Sequence, residues 1–189
     1  MKGFTLIEIM VVLVIFTIIS AAIFGVLYVG RNSWTIGAAA IELQQETRRA
    51  MDAMTRELRQ SGSVAGVTRF SVSGGGGVIT FQIPVGLDAN GNLQWGAEAT
   101  LNQAIRYSLG GLNNRQLVRT VLDSYPAGNQ VGEEAVLANN IPADLAGSLV
   151  FGANPTMVSI TVIAQNNTTY GRVMQSNLQS QVALRNVRN

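Results

Sequence analysis

The chain has no cysteine and no histidine. Without cysteine there are no disulfides, no thiolate metal sites and no cysteine nucleophile. Without histidine, Ser-His-Asp catalysis, histidine-ligated zinc and the commonest general base are excluded. Lysine is nearly missing too. Lys2 is the only one, which leaves twelve arginines against eleven acids and a formal net charge of +2. The charges almost balance and no basic stripe is interleaved with aromatics, so nucleic acid is not an expected partner. No stretch gathers a nucleophile, a base and an oxyanion donor, so catalysis is not expected either.

Charge is also absent from Ile9 to Gly30. That run of about 22 residues would cross a bilayer as one helix of ~33 Å. A single acid, Glu8, stands just ahead of it, after Lys2-Gly3-Phe4-Thr5-Leu6-Ile7. A carboxylate carried to the bilayer centre costs about 2.5–3.5 kcal/mol, so Glu8 calls for a dedicated partner. An acid at a helix N-terminus is also favoured by the macrodipole. A plain signal anchor held by Lys2 accounts for the hydropathy. A cleavable secretory signal would use Ser20-Ala21-Ala22, but it conflicts with the thin basic region, with Glu8, and with apolar sequence continuing to Val29.

Gly3-Phe4-Thr5-Leu6-Ile7-Glu8 resembles the prepilin processing site of type IV pilins and type II secretion pseudopilins. The resemblance implies that a prepilin peptidase cuts after Gly3 on the cytoplasmic face and methylates the new amine of Phe4. Glu8 becomes the fifth mature residue, with a role in assembly. The amine stays basic, since an α-amino group titrates near ~8. In a filament of staggered helices it can lie beside Glu8 of a neighbouring subunit, each charge neutralising the other. Loss of Lys2 with the leader lowers the net charge to +1.

Ile105-Arg106-Tyr107, Leu117-Val118-Arg119 and the ending Val182-Ala183-Leu184-Arg185-Asn186 resemble J-type minor pseudopilins and PilW-like minor pilins. The implied fold is α+β, a long N-terminal helix on an antiparallel head. The implied division is a leader (1–3), a transmembrane and assembly segment (4–30), an amphipathic second half of the helix (31–62) and a β-rich periplasmic head (63–189). The implied function is a structural subunit of a type II secretion pseudopilus, at its tip or initiation complex. A minor pilin of a pilus or competence system is the alternative within the family. Outside it stands a membrane-anchored periplasmic enzyme or ligand-binding domain. The implied partners are other pilins, the prepilin peptidase, an inner-membrane assembly platform and membrane lipid. The implied location is the bacterial inner membrane, crossed once, with incorporation into a filament. Lacking cysteine, the head lacks the C-terminal disulfide loop of many major pilins.

Beyond Gly30 a helical stripe continues through Ile36, Ala40, Leu43, Thr47, Ala50, Met51, Met54 and Leu58. The other face carries Glu46 and Arg49, and Asp52 and Arg56, at ion-pair spacing. Gly62 suits a C-cap. Gly25 fits either a helix breaker or a small-residue packing notch. Val67–Val72 and Val78–Ile83 flank four glycines as a hairpin, with Pro84 ending the strand. Ile105–Leu109 and Gln116–Leu122 follow as strands. Asp123 to Pro142 reads as a long loop holding a short strand or helical turn. Leu149–Phe151, Met157–Ile163 and Leu178–Leu184 are the last strands, turned at Asn154-Pro155 and Asn166-Asn167.

Asp88, Asn90 and Asn92, with Glu98 downstream, are a loose echo of a calcium loop. The glycine falls at the fourth place instead of the sixth, and an Asn-Gly turn explains the same residues, so no cofactor is expected. Gly74–Gly77 is not followed by Lys-Ser or Lys-Thr, which rules against a phosphate loop. Glu133-Glu134 reads as a solvated turn and Asn166-Asn167-Thr168 as an isolated sequon.

Overall fold

The computed structural model describes residues 5–64, 67–167 and 171–188. It divides into two compact units, 1–41 and 42–189. One helix, α1 (Leu6–Leu58), supplies 53 residues, ~80 Å of rise. Its first part is long and apolar enough to cross a membrane, and none of that window is buried within the chain. Thr17, a polar residue within it, donates its hydroxyl to the carbonyls of Leu13 at 2.6 Å and Val14 at 3.0 Å. The span therefore carries its hydroxyl without exposing an unmade bond.

In the second unit the amphipathic stripe is where the periodicity places it. Leu43, Thr47, Ala50, Met51, Met54 and Leu58 are the buried residues of α1. Thr47 donates back to the Leu43 carbonyl, so its hydroxyl also enters the core satisfied. The helix does not end on a glycine cap. It tightens through Gln60 N–H to Glu57 and Ser61 N–H to Leu58, both at 3.0 Å. Gly62 instead opens a strand, β1 (Gly62–Val64), which pairs in parallel with β14 (Asn186–Arg188) at the far end of the chain. Pairing with the C-terminus overrides the local capping signal.

The strands between run in order. They are β2 (Val67–Thr68), β3 (Phe70–Ser73), β4 (Val78–Phe81), β5 (Ile83–Leu87), β6 (Leu93–Ala97) and β7 (Thr100–Leu101). Then come β8 (Ala104–Gly110), β9 (Gln116–Leu122), β10 (Gln130–Ala138), β11 (Leu149–Asn154), β12 (Met157–Asn167) and β13 (Val173–Ala183). The largest sheet has the order β10-β9-β8-β4-β3, beside three-stranded sheets β11-β12-β13, β5-β6-β7 and β14-β1-β2. Apart from the β1–β14 pair, neighbouring strands are antiparallel. One core joins Met54 and Leu58 of the helix to Ile79, Phe81, Tyr107, Phe151 and Ile160 of the sheets. The architecture is α+β and pilin-like, as expected.

Several local expectations are corrected. The glycine hairpin forms, with Phe70 opposite Phe81 and Ser73 opposite Val78. Pro84, however, lies inside β5, an edge strand where a missing N–H is tolerated. The region after Asp123 contains the nine-residue strand β10. Glu133 and Glu134 sit in its exposed, bulged middle instead of in a turn. Asn166 and Asn167 also lie within a strand, opposite Met174 and Val173. The sequon's Thr168 lies outside the described residues.

Candidate assembly site and the helix–head lock

The helix opens at Thr5, whose carbonyl accepts the N–H of Glu8 at 3.1 Å and of Ile9 at 3.3 Å. Glu8 thus stands in the first turn, where the macrodipole favours a carboxylate. Its side chain is exposed and has no hydrogen-bond or ionic partner among the described residues. The large apolar side chains that follow, from Ile9 to Val29, are exposed as well. A Cβ added at Gly25, Gly30 or Gly37 would meet nothing within 4 Å, so these glycines answer no close packing inside the chain. Among the described residues, an acid without a partner thus heads a long uncovered apolar helix. Gly3 and Phe4, the expected cleavage and methylation residues, lie outside the described residues.

In the second unit the helix is fastened to its sheet by charge as well as by packing. Strands β8 and β9 pair with Tyr107 opposite Arg119, which brings the two side chains beside Glu57 of α1. The Tyr107 hydroxyl donates to Glu57 Oε2 at 2.6 Å. Arg119 Nε reaches both oxygens of Glu57, at 3.1 and 3.0 Å, and its Nη1 reaches Glu98 at 2.7 Å. Desolvation, reinforced by the neighbouring Glu57 charge, pushes the Tyr107 phenol far above its ordinary value. Burial works against the Arg119 charge, but the bonds to Glu57 and Glu98 outweigh it and raise its pKa.

Glu98 arrives there through a strained turn. Glu98 and Ala99 have φ of 47° and 65°, joining β6 to β7 in the left-handed region. The hairpin is so tight that a side chain at Gly96 would collide with the Thr100 carbonyl. Higher on the helix, Glu46 accepts from the backbone N–H of Asn139 at 2.8 Å and from its side-chain amide at 2.6 Å. The ion pairs among the described residues are Arg119–Glu57 and Arg119–Glu98. The expected Asp52–Arg56 and Glu46–Arg49 pairs are not among them. Glu57 is missed by helical spacing because its partners lie on strands; only the alternation that aims Tyr107 and Arg119 to one face hints at them.

Asp88 does sit with Asn90 and Asn92 in one turn. Its Oδ1 accepts the N–H groups of both asparagines at 2.8 Å, and its Oδ2 the Asn92 amide at 3.0 Å. These bonds, the Asn92 backbone N–H foremost, hold the carboxyl below its usual range. Glu98, the downstream acid of the calcium-loop echo, is committed to Arg119 instead. Two clefts of about 280 and 240 Å³ indent the head, the first lined chiefly by amides with Arg115, the second by Arg69 and Trp95 with leucines and amides. Among the described residues neither is lined by an acid, a serine or a threonine.

Residues 1–24 match the family model described as the prokaryotic N-terminal methylation motif. The match covers Gly3, Phe4 and Glu8 and supports a type IV pilin-like or pseudopilin subunit, a structural component in place of an enzyme. It fits a single-pass anchor that enters a filament, with other pilins and the prepilin peptidase as the partners it suggests. Comparison with curated proteins found no match, and neither did comparison with solved structures.

Proposed function

We propose that this chain is a minor pseudopilin, a low-copy subunit at the tip or initiation complex of a type II secretion pseudopilus. The observation that carries the reading is Glu8, an acid with no partner among the described residues, at the head of an uncovered apolar helix behind Gly3-Phe4. Such a carboxylate is satisfied when the methylated amine of another subunit docks beside it. The prepilin peptidase makes that amine by cutting after Gly3, and the helix waits in the inner membrane with its head in the periplasm and lipid around its span. An assembly platform then extracts it.

The minor role is supported by the head. It has Gly- and Asn-rich turns and no cysteine for a disulfide, whereas a shaft that repeats one contact favours a compact, durable unit. The runs that hold Tyr107 and Arg119 resemble J-type minor pseudopilins and PilW-like minor pilins alike, so a minor pilin of a pilus or competence system is the second reading. Two measurements test the proposal. N-terminal mass spectrometry should find methylated Phe4; a retained Met1 or a start after Ala22 would reject the family. Quantitative proteomics of purified filaments should find the chain far below the major subunit; equal copy number would make it a shaft subunit.

A further inference from the structure

A sheet edge left open invites pairing with another strand, and proteins blunt such edges with brevity, charge, proline or bulges. Nearly all the edges here are blunted. In the smaller sheets β2, β7 and β14 have two, two and three residues, and β5 carries Pro84 and a register shift. In the large sheet β3 has four residues, and β10 carries Glu133, Glu134, register shifts and Gly132 at φ 78°. The outer edge of β11 is backed by the glycine turn, where a Cβ on Gly76 would lie 3.4 Å from the Phe151 carbonyl.

Strand β13 is the exception. It runs 11 residues, Val173 to Ala183, in unbroken register with β12, and it ends its sheet. It contains no charge, no proline and no glycine. Among the described residues nothing pairs with its outer edge. Its exposed row is Val173, Gln175, Asn177, Gln179, Gln181 and Ala183, with four amides at its centre. Its inner row alternates Met174, Ser176, Leu178, Ser180 and Val182 against the core.

The order of these side chains reads alike in both directions about Leu178. Gln175 mirrors Gln181, Ser176 mirrors Ser180, Asn177 mirrors Gln179, and Met174 mirrors Val182. We propose that the outer edge of β13 pairs antiparallel with the same strand of a second copy of this chain, with Leu178 on the two-fold axis. In that register amides meet amides on the solvent face, while serine meets serine and leucine meets leucine on the core face. Directly opposed like side chains of this kind stabilise a strand pair, and amide rows stack well. The pairing gives about ten backbone hydrogen bonds. It is isologous, so it closes at two copies and does not propagate. The missing charge is what lets a copy serve as partner. In self-pairing about a central residue a charge would face the mirrored position, and one beside the axis would lie close to its own copy.

The full chain in detergent tests this, and its lack of native cysteine makes the reading clean. Chains carrying Gln175→Cys are mixed with chains carrying Gln181→Cys, then oxidised or bridged with a short thiol-reactive linker. The mirrored register opposes these positions at about 5 Å between Cβ atoms. Two copies of the same variant hold their cysteines ~20 Å apart, six residues along the strand. The mixture should therefore cross-link at least tenfold more than either variant alone. Association through the apolar spans, or occupation of the edge by a strand of another protein, would leave the mixture no better than the single variants and overturns the proposal. A second pair of substitutions, Asn177→Lys with Gln179→Lys, places like charges opposite each other beside the axis. It should abolish the cross-link while the circular dichroism stays native; a persistent cross-link overturns the proposal as well.

Discussion

The Tyr107 hydroxyl lies 2.6 Å from Glu57 Oε2, so a strand of the sheet and the last turn of α1 share one proton donor. Arg119 approaches the same carboxylate from the neighbouring strand. The helix end is therefore positioned by two directional bonds as well as by Met54 and Leu58. Where a helix has to transmit force or register to its head, packing alone would let it rotate, whereas a carboxylate held from two strands does not.

The first prediction follows from the phenol. Its folded pKa is raised above the ordinary 10.0. Stability from this group is complete below that ordinary value. It is lost as the pH rises beyond it, because the unfolded chain then releases a proton that the folded one keeps. Tyr125, also raised by burial, adds to the same limb. Tyr107→Phe should cost about 1 kcal/mol at neutral pH and flatten the fall in Tm above about pH 10. An alkaline limb of unchanged slope would mean that the hydroxyl is not held in this way.

A second prediction concerns the turn that delivers Glu98. Ala99 occupies φ 65° with a Cβ that disfavours it. Glycine there removes the clash and leaves Glu98 in place for Arg119. Ala99→Gly should raise stability by about 0.5–1 kcal/mol, read as a Tm increase of a few degrees. Glu98→Gly should not give the same gain, since it also removes a charge partner of Arg119.

The third prediction separates a turn from a metal site at Asp88. Its folded carboxyl sits below the ordinary 3.8. The stability it contributes is therefore present above that value and lost as the pH falls through the depressed one. Asp88→Asn should soften the acid limb of the melting profile. Millimolar calcium should leave the Tm of the wild-type chain almost unchanged, because N–H donors of the turn already occupy the carboxylate; a clear rise would show the ion displacing them.

What was legible in the sequence was what repeats. The stripe from Leu43 to Leu58 and the alternation of Ile105, Tyr107 and Leu109 each obey one period, and each forms as read. Pairings between distant segments left no such trace. Glu57 and Arg119 are 62 residues apart, and only the β8–β9 register brings Arg119 beside Tyr107. Gly62 looks like a cap because its parallel partner lies at the other end of the chain. Strand β10 was hidden because an exposed, bulged edge carries glycine and acids where an inner strand would carry valine. Asn166, Asn167 and the first residues of β13 were hidden because amides and a serine interrupt the apolar alternation that marks a half-buried strand. At the anchor the reverse holds: the expected roles of Gly3, Phe4 and Glu8 come from the sequence, and the fold adds only that Glu8 finds no partner among the described residues.

The last prediction isolates that acid. Glu8→Val removes a carboxylate from the edge of the apolar helix, so membrane insertion should become more favourable, by up to about 3 kcal/mol if the residue reaches the bilayer centre. Cleavage after Gly3 should continue, because the scissile glycine and the residues beside it are untouched. Incorporation should fail, because the methylated amine of the docking partner then enters an apolar environment without its counter-charge. Glu8→Gln is the sharper comparison: it keeps the size and one acceptor but no charge, and should also assemble poorly. Precursor and mature forms are read on a gel, and incorporation from sheared filaments or cross-linked tip complexes. Gly3→Val provides the opposite pattern, uncleaved precursor that never reaches the assembly step. If Glu8→Val chains are recovered in filaments at the wild-type level, the acid serves the helix terminus alone and the docking role is wrong.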